Sequence, residues 1–485
     1  MIHGLDANGF RAHVDVALAK SAQRAALRRA TDTIGERRAK AVAALPGWED
    51  LRERASAIKA DVLAHLDRYL EQFAERAEAA GAQVHWALDA AAACAVVERL
   101  VREHGEGAIV KAKSMLSEEI GLNHALEAQG WHPLETDLGE RIVQLAGQTP
   151  SHIIVPAIHL SRGEIADLFE RELAVERTEN PVELTAIARR LLRQQFARAS
   201  LGVSGVNFAV AETGSILLVE NEGNIRLTTS LPAVHVALMG IEKLVPRLAD
   251  LEVFLRLLPR SGTGQHLTSY QSLLTGPPAA VGQEGPRELH IVLVDNGRSG
   301  LLADERARQT LACIRCGACL NACPVYRQIG GHAYGSVYPG PIGSILTPQL
   351  AGVAAAGELP FASSLCGACR DVCPVKIDIP GILLRLRARS QEASDRPAQI
   401  NRDGPAFSLW AWIMERAWRY ETAARLARVA APLALGRSGF ARWLRGRIGP
   451  LCAWTAGREL RRPAAQSFRD LWSAGLEYED GGRDG

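Results

Sequence analysis

Cys313-Ile314-Arg315-Cys316-Gly317-Ala318-Cys319-Leu320-Asn321-Ala322-Cys323-Pro324 decides how the rest of this chain is read. Its spacing, C-x2-C-x2-C-x3-C-P, is the bacterial ferredoxin run. Three thiolates at i, i+3 and i+6 on a tight loop face three irons of one cubane. The fourth, turned away by the following proline, serves a neighbouring cluster. Gly317 lets the backbone come close enough for N–H groups to reach the cluster sulfides.

Forty residues on, Cys366-Gly367-Ala368-Cys369-Arg370-Asp371-Val372-Cys373-Pro374 repeats the run with Ser363 at the position of its first cysteine. Crossed ligation assigns Cys313, Cys316, Cys319 and Cys373 to one cluster and Cys323, Cys366 and Cys369 to another. The first is expected to be [4Fe–4S]. The second, with three cysteines, is expected to be [4Fe–4S] with a non-cysteine fourth ligand, or [3Fe–4S]. Water, the Ser363 hydroxyl, a remote cysteine and a partner's residue all stay open for that position. Structural zinc prefers two separated C-x2-C pairs, which neither run is. Paired clusters that share motifs form a short relay, so electron transfer is the chemistry expected of them.

Working outward, the chain has 485 residues and 9 cysteines, with 56 basic and 54 acidic residues for a net charge of +2. Nine cysteines in so long a chain do not make a disulfide scaffold, and their crowding points to metal ligation in a reducing compartment. The near-zero charge recruits neither nucleic acid nor an anionic membrane. The N-terminus lacks a basic region followed by an apolar run, and the uncharged stretch from Gln328 to Gly357 is broken by Gly and Pro. A cytoplasmic protein without a transmembrane segment is expected.

Four regions are predicted: a helical N-terminal region over 1–80, an α/β domain over 81–300, a ferredoxin-type module over 301–395 and a Trp/Arg-rich helical tail over 396–485. In the first, Leu63, Leu66, Leu70 and Phe73 recur at helical spacing. In the second, strands are predicted at 83–87, 109–112, 153–155, 208–210, 216–219 and 290–294. Helices are predicted over 89–103, from Ser117 with a capped start, and over 162–174. That alternation argues for a mostly parallel sheet. In the tail, Trp410, Trp412, Trp418 and Trp443 interleave with Arg419 and Arg445, and the rings are expected to pack its helices onto the cysteine module.

No G-x-G-x-x-G and no G-x-x-x-x-G-K occurs, so no dinucleotide fingerprint or P-loop is visible. The glycine-rich stretch from Gly330 to Gly343 reads as a loop wrapping the clusters, with His332 a hydrogen-bond donor beside them. Glu212, before the turn at Gly214, reads as an acid bonded to backbone N–H groups rather than as a nucleophile. His152 and His159 read as satisfied residues at strand ends. No catalytic residue is assigned.

These features together resemble the lactate-utilisation iron–sulfur protein family. The likeness covers most of residues 60–390 and rests on the two cysteine runs, on Cys373-Pro374-Val375-Lys376-Ile377-Asp378-Ile379-Pro380, and on Ala211-Glu212-Thr213-Gly214. The resemblance implies that residues 80–300 form a LUD domain, similar in fold to the NagB, ribose-5-phosphate isomerase and CoA-transferase group. It also implies two [4Fe–4S] clusters and a complex with two further subunits that oxidises L-lactate to pyruvate, passing electrons to a quinone or another carrier. The glutamate that CoA transferases acylate is not carried onto Glu212, because fold alone does not fix chemistry. Two other readings compete. One is the iron–sulfur subunit of a glycolate- or glycerol-3-phosphate-type dehydrogenase, disfavoured because no two cysteines here are adjacent. The other is a LUD-domain acyl or CoA transferase with structural clusters.

Overall fold

The computed structural model describes residues 2–104, 107–278, 283–392, 404–435, 464 and 466–475. Residues Met1–Ser394 form one compact unit and Asp395–Gly485 a second.

Among the described residues ten strands make two sheets. They are β1 (Gln83–Ala87), β2 (Ala108–Lys111), β3 (Leu134–Glu135), β4 (Ala199–Gly205), β5 (Phe208–Val210), β6 (Ser215–Glu220), β7 (Val234–Gly240), β8 (Leu244–Val245), β9 (Tyr270–Leu274) and β10 (Glu288–Val294). The larger sheet has the order β1-β10-β7-β4-β2-β3, and every neighbouring pair is parallel. Strands buried on both faces read as continuous apolar runs, and side chains still alternate between the faces. Ala237, Met239, Ile291 and Leu293 pack on one side with Leu66, Leu70 and Phe73 of the helix Leu66–Ala79. Val236, Leu238, Val292 and Val294 pack on the other with Val97, Leu100 and Val101 of the helix Ala90–His104. The chain therefore has the expected α/β architecture with a parallel sheet. A smaller sheet, ordered β8-β5-β6-β9, stands beside it and had no counterpart in the expectations.

The helical N-terminal region is present as Phe10–Ala19, Ser21–Ala43, Trp48–Ala64 and Leu66–Ala79. Leu27, Leu51 and Ala55 from its middle helices share a core with the cysteine module. Arg52 donates to the Cys373 carbonyl from Nε and Nη2 at 3.0 and 2.8 Å, and Arg38 donates to Val372 O at 3.2 Å.

Two local expectations need correction. The helix expected to begin at Ser117 is Met115–Glu119, and its N-cap is Ser114, whose side chain accepts from the Ser117 N–H. Ser117 instead turns its hydroxyl back onto Ser114 O at 2.7 Å. Ile153–Val155 is not a strand but a series of bends. There His152 Nδ1 accepts from the N–H groups of Ile154 and Val155 at 2.9 and 3.1 Å, which satisfies backbone that a ladder would otherwise serve.

In the second unit the described helices are Gly404–Met414, Ala417–Leu435 and Phe468–Ser473. Trp410, Trp412, Trp418 and Trp472 are exposed. The Arg419 guanidinium lies 4.2 Å over the Trp412 ring. Trp443 and Arg445 fall outside the described residues. Among the described residues no helix is long and apolar enough to cross a membrane.

Candidate iron–sulfur centre

Each cysteine run folds into the same short device: a loop with two residues in the left-handed region, then a brief helix. In the first run these residues are Arg315 (φ 60°) and Gly317 (φ 72°), followed by the helix Ala318–Ala322. In the second they are Leu365 (φ 56°) and Gly367 (φ 84°), followed by Ala368–Asp371. Arginine and leucine adopt such a φ only where the surroundings enforce it. Here the turned N–H groups point inward. Arg315 N donates to Cys313 Sγ at 3.4 Å, and Leu365 N donates to Ser363 Oγ at 3.1 Å.

Cys313, Cys316, Cys319 and Cys373 line one small cavity, whose other walls include Ile153, Ile342, Val375, Ile377 and Ile379. Burial raises the Cys316 and Cys319 thiols well above their usual range, and neighbouring Cys313 and Cys373 raise them further. Burial also pushes Cys369 up to about 12, with Cys323 and Cys366 adding to it. Cys366 is the exposed member of the seven. Buried thiols of this kind become thiolates only when a metal takes the place of the proton.

An iron–sulfur group fits the donors around these thiols. Tyr326 N donates to Cys323 Sγ at 3.5 Å and Ile377 N to Cys373 Sγ at 3.4 Å. Beside them, Tyr334 Oη and Asn321 Nδ2 are buried without a hydrogen-bond partner. Burial pushes Tyr334 far above the usual phenol range, with Cys323 and Cys319 both contributing. Orphaned donors next to thiolates are what inorganic sulfides would satisfy. Neither residue was singled out from sequence, although Tyr334 lies inside the glycine-rich stretch. That stretch packs closely on the 151–160 segment, where a Cβ on Gly331 would fall 1.9 Å from Ser151 O.

The other candidates take structural places. His152 is buried, its Nε2 faces Asn321 Oδ1 at 3.2 Å, and burial lowers it to about 3, so the ring is neutral. His159 bonds Ser151 Oγ and Gln148 Oε1. His332 donates to Thr149 O at 2.7 Å rather than toward a cysteine. Glu212 Oε2 accepts from Leu248 N at 2.9 Å, across from its own turn. Cys94 is buried against Ile120 O, and Cys452 falls outside the described residues.

The cysteine module is joined to the sheet by a buried ionic network. Glu119 accepts from Arg298 Nη1 and Nη2, both at 2.8 Å, from Asn296 Nδ2 at 2.7 Å and from Tyr338 Oη at 2.5 Å. Arg298 Nε also donates to Glu242 at 2.8 Å, and Arg315 stands 3.7 Å from the same carboxylate. Burial alone would raise the Glu242 carboxyl, but Arg298, Lys243 and Arg315 bring it down to about 2. Arg315 is stacked over the Tyr338 ring at 4.9 Å. None of this was legible in advance, because isolated charges carry no periodic signal.

Comparisons with known proteins follow the same division of the chain. A LUD domain model matches residues 70–294, and a 4Fe-4S dicluster domain model matches residues 309–377. Lactate utilization protein B of Bacillus pumilus is 42% identical over 467 residues, covering 96% of this chain and 97% of that one. The protein of the same name from Bacillus cytotoxicus is 41% identical, covering 98% of each chain. That from Macrococcus caseolyticus is 42% identical, covering 95% and 96%. A solved DUF162 family protein from Deinococcus radiodurans aligns at 16% identity over 47% of this chain and 98% of its own, with a TM-score of 0.27, too low to bear on the fold. Because the identity extends over nearly the full length of the relatives and both domain models match in order, the chain belongs to the lactate utilization protein B family.

Proposed function

We propose that this chain is the iron–sulfur electron-transfer subunit of a multi-subunit system that oxidises L-lactate to pyruvate. One observation carries the reading: two loops of matching backbone shape present seven cysteines within one compact unit, with N–H groups turned onto their sulfurs. Cys313, Cys316, Cys319 and Cys373 would hold a first [4Fe–4S] cluster, and Cys323, Cys366 and Cys369 a second. Bound clusters supply one-electron redox chemistry.

The protein's own residues supply the setting. Apolar walls at Ile153, Ile342 and Ile377 exclude water from the first set. N–H···S bonds and the nearby Arg38 and Arg52 guanidiniums favour the more negative reduced state, which raises the potential. The link to lactate is supported by the name of the relatives, and two further subunits and an acceptor such as a quinone are proposed with it. No catalytic residue is assigned to this chain, and Glu212, with an oxygen engaged by Leu248 N–H, supports a structural role.

The test is EPR of anaerobically purified protein, before and after addition of the partner subunits and L-lactate. Reduction of both clusters, seen as the signals of their paramagnetic reduced states, is expected. Clusters that stay oxidised throughout would remove the reading.

A further inference from the structure

A cavity of about 510 Å³ opens at the carboxyl ends of the parallel strands. Ser114 follows β2, Gly205 ends β4, Gly240 ends β7 and Arg298 follows β10, and all four line it. Crevices at this edge of an open α/β sheet are where ligands bind. The far wall comes from the cysteine module, as Arg315 and Tyr338. Arg315 and Ile153 also line the cavity of the four cysteines, so one layer of side chains separates the two spaces.

The charges lining the large cavity are unequally satisfied. Its carboxylates are engaged: Asp137 accepts from Glu140 N, Glu220 from Ile225 N and Arg226 N, Glu222 from Leu138 N, and Glu242 from Arg298. Lys113 donates to Ile154 O at 2.7 Å. Two cations have donating capacity to spare, although Arg315 also stands 3.7 Å from Glu242. The Arg315 side chain is only 10% exposed, and its Nη1 has no hydrogen-bond partner. Lys243 makes no hydrogen bond and no ion pair within 4 Å among the described residues, and feels Glu242 and Cys313 only at longer range. An unmet donor on the nearly buried Arg315, beside a half-buried lysine without a close partner, calls for an anion.

We propose that this cavity binds a small metabolite through an oxyanion, carboxylate or phosphate, held by Lys243 and Arg315 against the loop of the first cysteine set. The step is binding only. The proposal rests on the reading above for the presence of a cluster behind Arg315. An anion placed there disfavours the added electron, so it lowers the potential of that cluster more than that of the second.

Calorimetry on the anaerobic holoprotein, with L-lactate, pyruvate and inorganic phosphate as probes, tests it. At least one probe should bind, and the choice among them separates carboxylate from phosphate. Lys243→Gln should weaken that binding about tenfold, the equivalent of one charge-assisted hydrogen bond, with iron content unchanged. A redox titration should show one EPR signal shifted downward when ligand is present. No binding by any probe at millimolar concentration, or equal binding by Lys243→Gln, overturns the site. Equal potentials with and without ligand overturn its coupling to the cluster. Calorimetry needs no lactate-oxidising partner, so failure of the electron-transfer reading would be seen separately.

A second observation stands on its own. Ser363 occupies the place of Cys313 by sequence and by geometry, with the N–H two residues on donating to its Oγ and with matching φ at Leu365 and Arg315. Arg387 braces the loop through Ser363 O at 2.9 Å and Pro360 O at 2.8 Å. We infer that Ser363 Oγ, its proton released to solvent, is the fourth protein ligand of the second cluster. Ser363→Ala should lose one iron per protein on mild oxidation and give a three-iron EPR signal, while Ser363→Cys should keep its iron. An alanine variant with wild-type iron content and EPR overturns the assignment.

Discussion

Replacing Arg298 by methionine tests the junction between sheet and cysteine module most directly. The side chain is 1% exposed, Glu119 is fully buried, and a single guanidinium serves both Glu119 and Glu242. Methionine restores much of the volume but leaves two buried carboxylates short of their main cation. Removing one partner of a buried pair costs about 3–5 kcal/mol, and the double service places Arg298→Met at the upper end. Glu119 keeps Asn296 and Tyr338 as donors, so it is stranded as an acceptor only in part.

The pH dependence has a definite sign. In the wild type Arg298 holds both carboxyls below their ordinary range against burial. Their stabilising contribution is therefore complete above the unfolded carboxyl pKa and is lost as pH falls through the folded values. Without Arg298, burial raises Glu119 and works against a weaker hold on Glu242, which keeps Lys243 and Arg315, and protonation relieves the penalty. The deficit of the variant is therefore largest at neutral pH and shrinks toward pH 5. The assay is urea unfolding of the anaerobic holoprotein, followed by circular dichroism and by cluster absorbance, for Arg298→Met, Glu119→Gln and the double variant. A coupling of about 1–3 kcal/mol is expected from a shared network. Single costs that add to within about 0.5 kcal/mol, or an Arg298→Met cost below about 1 kcal/mol, would refute the argument that the network acts as one unit.

Other perturbations have equally defined outcomes. Glu212→Gln keeps an acceptor for Leu248 N and should cost no more than about 1 kcal/mol, with lactate-dependent cluster reduction unchanged by EPR. Gly317→Ala meets both a positive φ and a Cβ placed 3.1 Å from His152 Cε1, so it should lose first-cluster iron. Gly367→Ala, with φ 84° and nothing within 4 Å of its Cβ, should cost only the backbone strain of about 1 kcal/mol. Lys59 donates to Glu242 O and Leu244 O in a buried site, where burial lowers it to about 7. The unfolded chain then binds more protons between that value and the ordinary lysine range, so wild-type stability should rise against Lys59→Met from pH 7 to pH 10 in parallel urea titrations. Equal slopes for the two proteins would contradict the buried assignment.

Much of the architecture was readable because its causes are local. Alternation across strands and apolar runs buried on both faces announced β1, β5, β6 and β10. The helix expected over 162–174 is Arg162–Leu173, opened by a capping box between Ser161 and Glu164. Ser117 misled because serine caps and serine back-bonding look alike in sequence, and only the extended backbone of Ser114, with its side chain accepting from Ser117 N, tells them apart. Ile153–Val155 misled because a short apolar run is equally apt for a strand or for a cavity wall, and Ile153 proved to be the latter.

The sequence by itself determined the two cysteine runs, with Ser363 standing where a cysteine is expected, since ligand spacing on a tight loop is a property of adjacent residues. It also determined the α/β alternation, since hydrophobic period follows from backbone geometry. Only the tertiary structure decided that the N-terminal helices share a core with the cysteine module and that Glu119 meets Tyr338 across 219 residues. It alone placed Lys243 and Arg315 on one cavity. Such meetings depend on how far-separated segments close on one another, and the pattern of neighbours along the chain carries no record of them.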